Sequence, residues 1–428
     1  MTLASNSRQR ARAASLPVFA LLVLVAAPFE GSSPGTALWA APAILVAAML
    51  IAWAAESAQF FIAQGFALAI LAWLQTLPEF AVEFVLAWKQ RVDLLLANLT
   101  GALRLLTGLG WPMIYFVAAY FHRRTHHQPL RRIRLADAHS IEIVGLFLPL
   151  LYITFVWAKS SLTVIDAAVL IMIYGAYLVL LRRMPAEEME NVEEMEFVPR
   201  TILKSPPVLR TLLIVGFFVA GGVLIYGSAE PFLGSLLAIS TLLGIPSFVF
   251  VQWVAPLVSE FPEKVSAFYW ARTVDRAPMA LMNMVSSNIN QWTLLAAMLP
   301  IVYSFSRGTV SEIPLDSQQE LELLMTIAQS LIGMIFLINM ELAWWEAATL
   351  FSLWAVQFGF SPVPPGPGPI GFIATHIHWW VTVAYLVWAA AAIVRMAFGK
   401  RHPAAFRAFA LMWHLHLRPG RKGPADRD

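Results

Sequence analysis

Twice along this chain an apolar stretch long enough to cross a bilayer is interrupted by proline followed by glutamate: Thr76-Leu77-Pro78-Glu79-Phe80 and Glu260-Phe261-Pro262-Glu263. A charged side chain deep in a bilayer costs at least a few kcal/mol, so such residues face a water-filled cavity or an ion path. Proline sharpens the constraint. It leaves the carbonyls of Leu74 and Val258 without their helical donor, and bare oxygen dipoles beside a carboxylate suit a hard cation.

The composition agrees with a bilayer setting. Apolar residues make up 59% of the chain and charged ones 13%, with a mean hydropathy of +0.68, whereas about a quarter of a soluble globular chain is charged. With no cysteine, disulfides and thiolate metal sites are excluded, and the net charge of +3 carries no nucleic-acid signature. About a dozen apolar segments approach the roughly 20 residues that a spanning helix needs. They run Ala13 to Phe29, Ala37 to Gln64, Gly65 to Trp88, Asp93 to Tyr120, His139 to Ala158, Leu162 to Leu181, Val208 to Ser228, Gly244 to Ala271, Pro278 to Phe305, Leu321 to Met340, Glu341 to Phe360 and Pro369 to Ala397.

Basic loops stay on the cytoplasmic side. Arg8, Arg10 and Arg12, then Arg123, Arg124, Arg131, Arg132 and Arg134, then Arg182 and Arg183, and finally Lys400, Arg401, Arg418, Arg421 and Lys422 all fall on one side of this topology. Both termini are therefore expected in the cytoplasm, with the protein integral to a prokaryotic inner (plasma) membrane. The first segment reads as an uncleaved helix; read instead as a cleaved signal peptide, it leaves the new amino terminus outside and no other span altered.

The charged, proline-containing stretch from Arg182 to Pro207 divides the spans into two sets of five. Odd-numbered sets enter the membrane from opposite faces, which is the inverted-repeat arrangement with a midplane site between discontinuous helices. The expected organisation is residues 1–36 as a tail and extra helix, 37–182 as the first repeat, 183–207 as an acidic cytoplasmic linker, 208–360 as the second repeat, and 361–428 as an extra helix and basic tail. The fold class is an all-α membrane protein of about 12 transmembrane helices. The repeat extends past the Pro-Glu words: Asn98-Leu99-Thr100-Gly101 begins nineteen residues after Glu79, and Asn283-Met284-Val285-Ser286-Ser287-Asn288 begins twenty after Glu263.

These words resemble those of the calcium/cation antiporter superfamily, which includes the sodium/calcium exchangers. Its two repeats carry Gly-Thr-Ser-Leu-Pro-Glu, followed on the next helix by Gly-Asn-x-x-Gly-Ser-Asn. Thr76 to Glu79 keep the end of the first word, and Asn283 to Asn288 keep Asn-x-x-Ser-Ser-Asn. Two departures stand out. Glu260 follows Ser259 where the family has its serine, and the first repeat continues Gly101-Ala102-Leu103-Arg104-Leu105-Leu106, with Leu103 and Leu106 where polar ligands are expected.

The resemblance implies a secondary active cation antiporter, not an enzyme, that exchanges calcium for sodium or protons by alternating access. Its partners would be the lipid bilayer and small inorganic cations. Calcium takes six to eight oxygens, and the chain offers Glu79, Glu83, Glu260, Glu263, Thr76, Ser259, Asn98, Asn283, Ser287 and Asn288, with no cofactor beyond the transported ion. Glu79 and Glu83 share one helical face, Glu260 and Glu263 another, so four carboxylates could converge. Magnesium, which sheds water reluctantly, fits less naturally. Protons can serve as counter-ions because carboxylates removed from water hold them more readily. Arg104, deep in its span, is expected to pair with Glu79 or Glu83, either filling one cation position or only joining two helices. Leu103, Leu106 and Arg104 also motivate an alternative, a non-transporting receptor or scaffold. The glutamate run from Glu187 to Glu196 reads as solvated linker, and His376 and His378 as interface residues.

Overall fold

The computed structural model describes residues 32–61, 72–183, 192, 195–364, 366–399 and 403–417. The expected span from Ala13 to Phe29 lies outside these residues, as do most of the glutamate run and the last basic cluster.

The first half opens with α1 (Ala37–Ala58). After the break at Thr76 come α2 (Leu77–Trp88), α3 (Leu95–Leu105), a π-helical stretch over Leu106–Gly110, and α4 (Trp111–His126). Strand β1 (Arg132–Arg134), α5 (Ser140–Gly145), α6 (Phe147–Ala158), β2 (Ser161–Leu162) and α7 (Val164–Arg182) complete it. The connecting segment holds one short helix, α8 (Phe197–Leu203), tied to α1 by the Trp53 indole N–H, which donates to Glu196 Oε2 at 2.9 Å.

The second half follows a similar order. It runs α9 (Pro207–Leu243), α10 (Ser247–Ser259), α11 (Phe261–Arg272), α12 (Ala277–Asn290), a π-helical stretch over Gln291–Leu295, and α13 (Ala296–Arg307). Then follow β3 (Ile313–Pro314), α14 (Ser317–Leu337), β4 (Glu341–Ala343) and α15 (Trp344–Phe360); α16 (Pro369–Ala397) and α17 (Ala404–Met412) lie beyond it. Among the described residues, seven helical stretches are long and apolar enough to cross a membrane. Their burial ranks them: the apolar window within Val92–His126 is 83% buried and that of Ser317–Leu337 78%, against 17% for Pro207–Leu243. The first two are central, and α9 runs along the outside. Outward residues such as Leu151, Phe155, Met172, Leu212 and Tyr226 are apolar and exposed, whereas Glu79, Asn98, Arg104, Gln252, Glu263 and Asn288 are buried. That polarity, inverted with respect to a soluble protein, is what a lipid surround requires.

Three details differ from the sequence-based spans. First, α9 continues well past Ser228, carrying Pro231 within it, and ends only where Gly244 adopts a positive φ of 66°; a proline costs one helical hydrogen bond but need not stop an otherwise apolar helix. Secondly, the chain is not wholly helical. Strand β1 pairs antiparallel with β4 (Ile133 opposite Leu342) and β2 with β3 (Leu162 opposite Ile313), so each ribbon joins one half to the other. Thirdly, the acidic residues that open the last span of each half are helix caps: Asp166 Oδ2 accepts from the Thr163 N–H at 2.7 Å, and Glu346 Oε2 from the Ala343 N–H at 2.9 Å.

Gly101 fixes the spacing of the two elements that cross near the centre. A Cβ there would lie 1.7 Å from the Gln252 carbonyl oxygen, so α3 and α10 approach backbone to backbone only because this residue has no side chain.

Candidate cation site

Both Pro-Glu words break their helices. At the first break the Thr76 N–H still reaches the Ala72 carbonyl at 3.2 Å, while the Thr76 carbonyl accepts from the N–H groups of Glu79 at 3.0 Å and Phe80 at 3.2 Å. Pro78 brings no N–H, so it donates nothing to the Leu74 carbonyl. At the second break Glu260 separates α10 from α11, and Pro262 likewise withholds a donor from Val258. Glu79 and Glu263 each fall in the first turn of the helix that follows, where the helix dipole favours a negative charge.

The two breaks meet at one side chain. Gln291, at the start of the second π-helical stretch, donates from Nε2 to Glu79 Oε2 at 2.6 Å and to Glu260 Oε1 at 3.0 Å. Glu79, Glu260 and Glu263 are at most 1% exposed. Glu79 lies within electrostatic reach of the other two. Ser287 donates to Glu263 Oε1 at 2.5 Å, Asn290 Nδ2 to Thr76 Oγ1 at 2.5 Å, and Asn283 Nδ2 to Gln75 Oε1 at 3.2 Å. Lys264, one helical turn after Glu260, forms a buried ion pair with Glu260 Oε2.

Acceptors outnumber donors here. Glu79 Oε1, Glu263 Oε2, Asn283 Oδ1, Asn288 Oδ1, Asn290 Oδ1 and Gln291 Oε1 are buried with no hydrogen-bond partner among the described residues. Buried polar atoms are seldom left so. Oxygens of carboxylate and amide type in excess of donors are the ligands a hard cation takes. Among the described residues no three His, Cys, Asp or Glu side chains are spaced to hold a metal ion by themselves. A divalent cation here would therefore draw the rest of its shell from amides, hydroxyls and carbonyls.

The other expected ligands are placed as follows. Glu83 takes a hydrogen bond from Asn98 Nδ2 at 3.3 Å, whereas Glu79 and Glu260 share Gln291. Asn288 Nδ2 reaches across to Thr107 Oγ1 of the first half at 3.4 Å, and Ser259 Oγ donates to Ala255 O of its own helix at 3.0 Å. Glu260 has both oxygens engaged, by Gln291 and by Lys264.

Arg104 does not pair with Glu79 or Glu83. Its Nη2 lies 2.7 Å from Glu322 Oε2, and its guanidinium sits 5.0 Å from the centre of the Trp253 ring. Glu322 also contacts His378 Nδ1 through Oε1 and accepts from Gln252 Nε2 at 3.0 Å, so the partly exposed His378 reaches a buried carboxylate.

Sequence reasoning missed Gln75, Lys264, Asn290 and Gln291. The signal for the last two was the continuation of the polar run beyond Asn288. For Lys264 it was a basic residue next to Glu263 and one turn from Glu260. The halves are unequal at equivalent places, since Asn98 and Asn283 precede their π-helical stretches by the same interval. Gln291 thus corresponds to Leu106 and Asn288 to Leu103, and most amides of the cluster come from the second half.

The sodium/calcium exchanger protein family model matches residues 32–182 and 213–361, one block in each half. A crystal structure of the H+/Ca2+ exchanger CAX is 32% identical, with a TM-score of 0.82 over 95% of this chain and 99% of that one. YfkE shares the fold at 14% identity and a TM-score of 0.55, covering 82% of this chain and 98% of its own. The sodium-calcium exchanger NCX_Mj does so at 16% and 0.50, covering 76% and 97%. No curated protein sequence matches the chain. With both halves matched, and a relative of this identity aligned over nearly its whole length, the chain belongs to the sodium/calcium exchanger protein family.

Proposed function

We propose that this protein is a secondary active cation antiporter that exchanges calcium for sodium or protons by alternating access, with Glu79 and Glu263 as its principal ligands. One observation carries the reading. The glutamates at two helix breaks, one from each half, lie in a single buried cluster whose unpartnered atoms are almost all oxygen acceptors. The solved H+/Ca2+ exchanger at 32% identity supports the same substrate class. Asn283, Ser287 and Asn288 complete the oxygen set, with Thr76, Ser259 and the carbonyls of Leu74 and Val258 at the breaks; Glu83 and Asn98 lie beside it.

The halves act as inverted repeats, each beginning its site at a broken helix. Support comes from their matching order of break, π-helical stretch and capped last helix, and from the two ribbons that join first-half to second-half strands. Rocking one helix group past the other would open the cluster to one face at a time. The protein works in a prokaryotic inner membrane with both termini in the cytoplasm. The alternative of a receptor or scaffold that transports nothing drew on Arg104, Leu103 and Leu106. It has less to stand on with Arg104 paired to Glu322 and the second half supplying the amides.

Calcium-45 flux into proteoliposomes under separate sodium and pH gradients tests the proposal. Uptake driven by one gradient, and lost in Glu79→Gln and Glu263→Gln, is the expected result. Uptake that persists in both variants rejects the site, and none in the unaltered chain under either gradient supports the alternative.

A further inference from the structure

Resting on that reading of the cluster, we propose that the Lys264 ammonium is a built-in monovalent cation of the site. By neutralising Glu260 it leaves Glu79 and Glu263 to take one divalent cation without a monovalent companion. Both oxygens of Glu260 have partners, Gln291 Nε2 at 3.0 Å on one and Lys264 Nζ on the other. Glu79 and Glu263, by contrast, each keep one oxygen without a partner among the described residues. Glu260 is therefore occupied by a cation that the protein itself carries, on the same helix as Glu263 and one residue beyond it.

Charge gives the consequence. With the four groups ionised, three carboxylates and one ammonium leave the formal charge of a site that a single divalent cation balances. Exchange the lysine for a neutral residue and one negative charge remains over, in a place where an uncompensated charge is costly. Unless a proton takes up that charge on Glu260, sodium or a small ammonium ion would then have to enter beside calcium. Lys264 is 7% exposed and its partner Glu260 0%, so bulk solvent does not stand in for that ion.

The test uses full-length protein in proteoliposomes and follows calcium-45 exchange against unlabelled calcium on both sides, which needs no counter-ion. The medium contains choline as the only added monovalent cation and is buffered at alkaline pH, so that a proton on Glu260 does not stand in for the lysine. Wild type is expected to exchange. Lys264→Gln should exchange at least tenfold more slowly, and millimolar sodium or ammonium should restore it. The double variant Glu260→Gln with Lys264→Gln removes both charges and leaves no unpaired one. It should exceed the single variant by at least tenfold in choline, even if the single variant folds poorly.

Wild-type rates in Lys264→Gln in choline would overturn the proposal. So would a folded single variant that neither sodium nor ammonium rescues, or a double variant as slow as the single one. The two readings fail separately. If Glu79→Gln and Glu263→Gln keep exchange, the site assignment falls; if they lose it while Lys264→Gln behaves as wild type, only the role of Lys264 falls.

Discussion

Two groups of buried charge lie inside this helical core, and their wiring differs. Around Arg104, opposite charges meet within the protein: Glu322 holds the guanidinium on one oxygen and His378 on the other, with Gln252 bridging to Thr100 Oγ1 at 2.9 Å. Around Gln291, the one lysine is paired with Glu260, and one oxygen each of Glu79 and Glu263 has no donor among the described residues. A buried charge that finds its counter-charge in the chain joins helices, here α3, α14 and α16. One left with surplus acceptors is completed from outside. Both regions lie inside the core, so it is the balance of donors and acceptors that distinguishes the scaffold from the proposed site.

Substitutions can break this contrast. The largest effect is expected from Gly101→Ala, because the added Cβ would sit 1.7 Å from a backbone oxygen of α10 and force apart the helices that carry Thr100 and Gln252. Little monodisperse protein should be recovered on size exclusion. Next comes Glu322→Gln, which strands Arg104 in the core. It should lower stability by about 3 to 5 kcal/mol, read as a drop in thermal midpoint in detergent, while calcium still stabilises the fraction that folds. Glu263→Gln should do the reverse. The fold should hold its midpoint, because no opposite charge is stranded, whereas calcium affinity should fall on the order of a hundredfold with the loss of a ligand charge, seen as the disappearance of calcium-induced stabilisation. Smallest is Gln291→Leu, which matches the first half's Leu106. Losing the bridge between Glu79 and Glu260 should weaken calcium binding by roughly tenfold, about the worth of one charge-assisted hydrogen bond, by titration calorimetry. A larger loss in Gln291→Leu than in Glu263→Gln would shift the centre of the site from the carboxylates to the amide.

Much of this contrast can be read in the sequence where the signal is local. Apolar length located the long helices among the described residues, and Pro78 and Pro262 located the breaks within a residue or two, because a missing N–H acts on its own turn. Glu79 and Glu263 stood out through depth and duplication. Partner choice is not local. Arg104 had acidic residues at plausible depth in several spans, and only the packing of α3 against α14 selects Glu322 over Glu79. Gln291 and Lys264 were hidden for the same reason, since each lies just past the end of a family word and matters through what faces it. The continuation of α9 through Pro231 escaped because a proline stops a helix only when no apolar surface holds the far side in place. The short ribbons escaped because two or three residues carry too little alternation to register as strands.

The central claim is that the divalent ion sits where the two broken helices meet, and a structure of the protein determined with calcium bound tests it most directly. The account predicts one ion at about 2.3 to 2.6 Å from Glu79 Oε1 and Glu263 Oε2, with amide oxygens from α12 in its shell and Lys264 still on Glu260. An ion held by Glu322, or by Glu83 and Asn98 alone, with Glu79 and Glu263 untouched, would contradict it.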